Sequence, residues 1–247
     1  MIPLGVIQTN GDGPVIPPKV VSIVVSAPTN NIVLRDLYDA QESEPPLPQD
    51  DITFTINNVD IGSTNTGFPS IDVGDWPVGV VPLLVNQSMT VFGKGSPGNV
   101  SQIRGGTAFR TTVPIRVDNS AGRFAGGGGG GRSSSQVNSS VTGLAYRKGG
   151  GGGAGNGPGD GGIGIQNGTT DGGDSSGDPG TATTGGNAGT FHSDPNQPSL
   201  FAGDGGDIAE QGGSSDLGPG GPPGYSVSGY SLIDWIDEGI LSGPTTG

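Results

Sequence analysis

The sequence predicts a mainly β protein in which a β-rich N-terminal domain, solenoid or sandwich-like, is followed by a glycine-rich array of the polyglycine II type, with little regular helix. Three observations predict it. Between Ala125 and Gly224 lie 35 of the chain's 52 glycines, a density at which no core of side chains can form. The apolar residues gather on either side of that stretch, from Val15 to Val117 and from Tyr225 to Leu241. On the N-terminal side a short pattern recurs: an apolar residue, an Asn or Asp turn, then apolar residues running into glycine.

Residues 1–18 form an extended N-terminal arm. Pro3, Pro14, Pro17 and Pro18 exclude helix and central strand, while Ile2, Leu4, Val6 and Ile7 need burial, for which a neighbouring subunit is the expected place. Residues 19–124 are the β-rich domain. Lys19 to Ser26, dense in Val and Ile, reads as a strand, and Ile52-Thr53-Phe54-Thr55-Ile56 alternates as a half-buried strand does. Between them Asn31 to Gln41 is the one helical candidate, with Ile32, Leu34, Leu37 and Tyr38 near helical spacing and Asn30 or Asn31 as N-cap. Pro45, Pro46 and Pro48 end it.

The repeated pattern occupies Ile56 to Gly62, Val85 to Gly93, Val117 to Phe124 and, more loosely, Ile236 to Gly243. The second and third copies align at an offset of 32, matching Pro82 with Pro114, Val85 with Val117 and Phe92 with Phe124. Strand, Asn turn and second strand, repeated with insertions, is how a solenoid or a stack of hairpins is written. Four unrelated hairpins in a small sandwich are the alternative. Because each later repeat ends in glycine, the β domain is expected to present a paired edge to the first strands of the array.

Residues 125–224 are the array. Composition alone favours disorder, since few apolar groups offset the entropy of ordering. Collagen is excluded, because the runs Gly126 to Gly131 and Gly149 to Gly153 break a period of three. The ordered alternative is a set of extended helices side by side. Ordering costs roughly 1–2 kcal/mol per residue and a net hydrogen bond returns only about 1 kcal/mol, so nearly every backbone group must be paired. Weak Cα–H···O contacts add to this. The later glycine runs are short and diluted with Asp, Ser and Thr, which argues against a large regular lattice. Residues 225–247 read as a closing β segment.

Composition excludes several functions. All ten Lys and Arg lie at or before Lys148, while the residues after it carry twelve of the 23 acids, so the net charge of −13 is almost wholly C-terminal. A cation-free half does not bind nucleic acid or anionic membrane by counterion release. With no cysteine there are no disulfides or thiolate metal sites. His192 is the only histidine, no Ser-His-acid order can be assembled, and no enzyme is expected. Neither a basic leader nor a long apolar run is present, so no signal route or membrane insertion is expected. No cofactor is implied, although Asp204 and Asp207, on flexible glycine turns, are weak candidates for a structural calcium.

The strand Ile52 to Gly62, the segment Phe68 to Gly79 with Trp76-Pro77, the Asn-turn repeats leading into glycine and the closing Gly224 to Gly243 resemble glycine-rich bacteriophage tail proteins. The array is similar to that of the distal adhesins of T-even-type long tail fibres. The resemblance implies a virion tail protein, made in the bacterial host cytoplasm, whose polyglycine II sandwich presents loops to a host receptor, protein or polysaccharide, and which binds other tail proteins. A purely architectural tail or capsid protein is the alternative. A small core and an apolar arm add the expectation of a homo-oligomer, a trimer by the symmetry common in fibres. Aromatic residues are favoured at binding hot spots, and in the array they are scarce. The receptor-contact candidates are therefore Phe191, His192, Leu200 and Phe201, in a loop stiffened by Pro195 and Pro198, helped by Tyr146, Arg147 and Lys148.

Overall fold

A computed structural model describes residues 17–87, 90–99, 101–138, 145–166, 169–171, 175–190 and 200–247. The expected arm lies almost wholly outside them. The described chain winds through five coils, each giving one short strand to each of three parallel five-stranded sheets. The first coil comprises β1 (Val20–Val25), β2 (Thr29–Asn30) and β3 (Ile32–Val33), followed by helix α1 (Leu34–Gln41). The second has β4 (Asp51–Asn57), β5 (Ile61–Gly62) and β6 (Ile71–Asp72), and the third β7 (Leu83–Gln87), β8 (Thr90–Phe92) and β9 (Phe109–Arg110). The fourth begins with β10 (Ile115–Asp118) and β11 (Arg123–Ala125). It then leaves the coil for an insertion holding β12 (Val137–Asn138), β13 (Ala145–Tyr146), β14 (Gly164–Gln166) and β15 (Thr169–Asp171), and returns as β16 (Val227–Ser228). The fifth is β17 (Ile233–Asp237), β18 (Ile240–Ser242) and β19 (Thr245–Thr246).

This is a three-sided β-solenoid, and its core is built from ladders of like positions. Ile23, Phe54, Leu84, Val117 and Trp235 are successive partners in the first sheet. Ile61, Val91, Phe124 and Leu241 follow one another in the second, and Ile32, Ile71, Phe109 and Val227 in the third. Alternation in each strand turns these residues inward, where they form one continuous apolar cluster. The Asn turns are corners between the first and second sheets, not hairpins. At the corner, buried Asn86 Nδ2 donates to Asn119 Oδ1 (2.8 Å), and Asn119 Nδ2 donates to Glu238 O (2.7 Å), stitching three coils together.

Two sequence expectations are corrected. The repeat offset is 33, as the Asn86–Asn119 bond and the Val91–Phe124 pairing show, and not 32. A one-residue slip exchanges the faces of a strand: Phe92, matched by the smaller offset with buried Phe124, is only half-buried. The helix starts at Leu34 with Val33 at the N-cap and no side-chain capping bond. Pairing of Ile32 and Val33 with Ile71 and Asp72 takes precedence over three further helical residues. Asn31 instead adopts a left-handed conformation (φ 53°) and its side chain bonds Ser63 Oγ and Pro69 O. Helix α1 buries Leu34 and Tyr38, with the Tyr38 ring edge-on to Trp76 at 5.5 Å.

All coils turn from the second sheet to the third at one corner, and there the insertions grow. Residue 31 fills it in the first coil, residues 63–70 in the second, residues 93–108 in the third and residues 126–226 in the fourth. The last two insertions together build the array, so residues 93–108 belong to it and not to the β domain alone. The β8–β11 pairing continues unbroken into it: Gly93, Ser96 and Asn99 N–H donate to Ala125, Gly128 and Gly131 O.

Within residues 126–134 the donors rotate through three neighbours with a period of three. The N–H groups of 128, 131 and 134 reach residues 154, 151 and 148, those of 129 and 132 reach 210 and 213, and those of 127 and 133 reach 106 and 99. Three residues per turn is the polyproline II repeat. A helix surrounded on every side has no direction in which a Cβ fits: in both contiguous runs an added Cβ would lie 1.8–2.2 Å from a backbone oxygen. An outer helix needs glycine only on its inward face. In residues 175–181 and 184–190 the inward donors are Gly177, Gly180, Gly186 and Gly189, while Asp178, Pro179 and Asn187 face solvent. The diluted glycine runs are thus the rim of a regular lattice, contrary to the sequence expectation.

Candidate functional site

The antiparallel course of the array divides its turns into two sets. Turns at 155–157, 181–184 and 207–210 lie at the solenoid end, where Ser63 N–H donates to Asn156 O and Ala209 N–H to Gly126 O. Among the described residues, 99, 101–103, 135–138, 145–147, 163–166, 169–171, 175 and 213–219 lie at the other end. At about 3.1 Å per residue, residues 126–134 carry that end roughly 25 Å outward.

The distal end has its own structure. β12 pairs antiparallel with β13, β14 with β15, and an Arg147–Ile165 bridge joins the two hairpins. Asp216, in the last distal turn, accepts from Ser135 N–H and Oγ and ties that turn to the first hairpin. Where the hairpins meet the array, residues 98–99 and 161–163 with Ser133 and Arg147 enclose a cavity of about 210 Å³. Arg147 Nε donates to Ile163 O (3.0 Å) at its edge.

The sequence candidates separate. Tyr146 (1% exposed) and Leu200 (7%) are buried, so neither offers a surface to a receptor; sequence alone does not reveal that these side chains pack into the distal margin of the array. Phe201 is 62% exposed. Arg147 lines the cavity, and Lys148 is half-buried, its backbone exchanging bonds with Ser134. Phe191 and His192 lie outside the described residues. Asn99, Ser133 and Ile163, which line the cavity, were not sequence candidates, because they come from three separate array segments that no local pattern links.

The carboxylates of the array serve its rim. Asp204 accepts from Ala188 N–H (2.7 Å), Asp207 from Gly185 N–H (2.8 Å) and Asp178 from Asn187 Nδ2 (3.1 Å). At these three positions acidic side chains satisfy outward donors that lack a neighbouring helix. Among the described residues no group of three or more His, Cys, Asp or Glu is placed to hold a metal ion, and no helix is long and apolar enough to cross a membrane.

Comparison with known proteins agrees with this architecture. No curated protein matches the chain significantly. The crystal structure of the gp37-gp38 adhesin tip complex of the bacteriophage S16 long tail fiber is similar, with a TM-score of 0.64 at 23% identity over 92% of this chain and 81% of that one. At that identity the likeness speaks for the fold. A family model for the phage tail fibre adhesin Gp38 matches residues 20–246. Five stacked coils, a glycine lattice growing from one corner and a match along nearly the whole chain place this protein in the phage tail fibre adhesin Gp38 family, as a component of the virion tail.

Proposed function

We propose that this adhesin touches the host receptor with the distal turns of the array and joins the fibre through the solenoid. The observation that carries the reading is the sorting of the turns. A lattice that pairs its own backbone holds the far loops on a rigid mount, where their sequences can change without disturbing the scaffold. Phe201, exposed beside the last distal turn, where its O accepts from Asp216 N–H, is the aromatic best placed for contact. In the solved relative the adhesin is complexed with gp37. For a partner of that kind the solenoid offers an apolar groove between residues 76–81 and 113–114, where Val78 is fully exposed.

The test is adsorption by assembled phage carrying Phe191→Ala with Phe201→Ala. Reduced adsorption is expected, and normal adsorption refutes contact through this loop. The homo-oligomer, a trimer, expected from the small core and the apolar arm is tested by light scattering on the purified protein: three times 24.4 kDa supports it, and 24.4 kDa alone refutes it.

A further inference from the structure

The distal cavity has the chemistry of a small-ligand site, and we infer that it binds one acidic sugar unit, a pyranose bearing a carboxylate or phosphate, of a bacterial surface polysaccharide. The inference rests on the proposed host contact at the distal end and names the ligand class for one part of it. The cavity holds about 210 Å³, below the roughly 300–1,000 Å³ of sites for drug-sized ligands. It takes a single ring-sized group and not a polypeptide segment.

Its walls are polar. The Asn99 amide, the guanidinium of Arg147 and the backbone of Gly161 line it with polar atoms; Ser133 Oγ is buried and already accepts from Gly150 N–H, the N–H and C=O of Gly162 are paired within the array, and Ile163, 57% exposed, is the one large apolar side chain. A pyranose has the complementary surface, several hydroxyls and a small CH face. A protein receptor gains most of its affinity from aromatic and aliphatic anchors in dry apolar pockets, and this cavity has no such wall.

The acid group is assigned by Arg147. The bond from its Nε to Ile163 O fixes the side chain, and none of the ion pairs among the described residues includes it. A guanidinium fork pairs bidentately with carboxylate or phosphate. No Lys or Arg follows Lys148, so Arg132, Arg147 and Lys148 are the last cations before the acidic part of the array.

The experiment is titration of the purified full-length protein, read by ligand-observed NMR, with glucuronic acid, glucose 6-phosphate, glucose, inorganic phosphate and an acidic peptide. Saturable binding of an acidic sugar is expected, with glucose at least about tenfold weaker. Arg147→Gln should abolish binding while lowering the melting temperature by no more than about 2–4 °C, the loss of one hydrogen bond, and Arg147→Lys, which keeps the charge but not the fork, should fall between. Because Arg147 also anchors β14, Asn99→Asp is the second variant: it sets a negative charge in the cavity without touching that bond, and should give the same loss. Absence of saturable binding, equal binding by Arg147→Gln, binding of phosphate with no gain from the sugar, or binding of the peptide alone overturns the inference. Phage adsorption separates it from the broader reading. If Arg147→Gln particles adsorb normally while the Phe191→Ala, Phe201→Ala particles do not, host contact at the distal end stands and the sugar site falls.

Discussion

Replacing Gly128 by alanine adds one methyl group where three helices of the array meet. The new Cβ would lie 2.1 Å from Gly206 O, 2.5 Å from Asp207 O and 2.9 Å from Ala154 N. These atoms are backbone, so no side chain can swing aside, and relief requires the helices to part by about 1 Å. Three bonds hold them: Gly128 N–H to Ala154 O (2.8 Å), Ala154 N–H to Gly206 O (2.9 Å) and Gly206 N–H to Gly129 O (2.7 Å). Each of these bonds lost leaves a buried group unpaired at a cost of about 1–3 kcal/mol, so the substitution should destabilise by about 3–9 kcal/mol, a large share of the 5–15 kcal/mol typical of a folded domain. For a chain of this size that lowers the melting temperature by on the order of 10 °C or more. Calorimetry follows the whole molecule, while fluorescence of Trp76 and Trp235, both in the solenoid, shows whether the coils melt with the array. Asp160→Ala, on the exposed rim, is the control and should stay within about 0.5 kcal/mol. Equal melting of Gly128→Ala and wild type would refute the close-packed lattice.

Two other perturbations probe the solenoid. Asn119→Ala removes the bonds from Asn86 Nδ2 to Asn119 Oδ1 and from Asn119 Nδ2 to Glu238 O and should cost about 2–3 kcal/mol in urea denaturation, loosening the last coil; an unchanged midpoint would show that these two bonds contribute nothing. Asp50 accepts from the N–H of Lys19 and of Leu47, and these bonds hold its carboxyl below the ordinary aspartate value. A depressed carboxylate stabilises fully above its unfolded value, about 3.9, and that contribution is lost as pH falls through the lowered folded value. Asp50→Asn should therefore be less stable than wild type at neutral pH, with the gap closing in acid; a gap that persists unchanged below that range would refute the linkage.

The sequence by itself determined the class of structure. Runs of glycine exclude a side-chain core, and period-two apolar strands with recurring Asn turns predict a β-rich domain, solenoid or sandwich-like; both follow from local sterics and need no knowledge of neighbours. It also placed Arg147 and Phe201 among the contact candidates, because scarce cations and aromatics stand out against glycine. Only the tertiary structure decided the register of the repeat, since 32 and 33 both align apolar residues and burial alone tells Val91 from Phe92. It decided that Tyr146 and Leu200 are interior, because an aromatic or leucine at the edge of an array reads alike whether it anchors or recognises. It decided too that the diluted glycines are lattice. A helix with three residues per turn needs glycine on as many faces as it has neighbours, and how many neighbours a segment has is a property of the assembled fold. The cavity beside Arg147 has the same origin: its walls come from segments far apart in the chain, which meet only when the array closes.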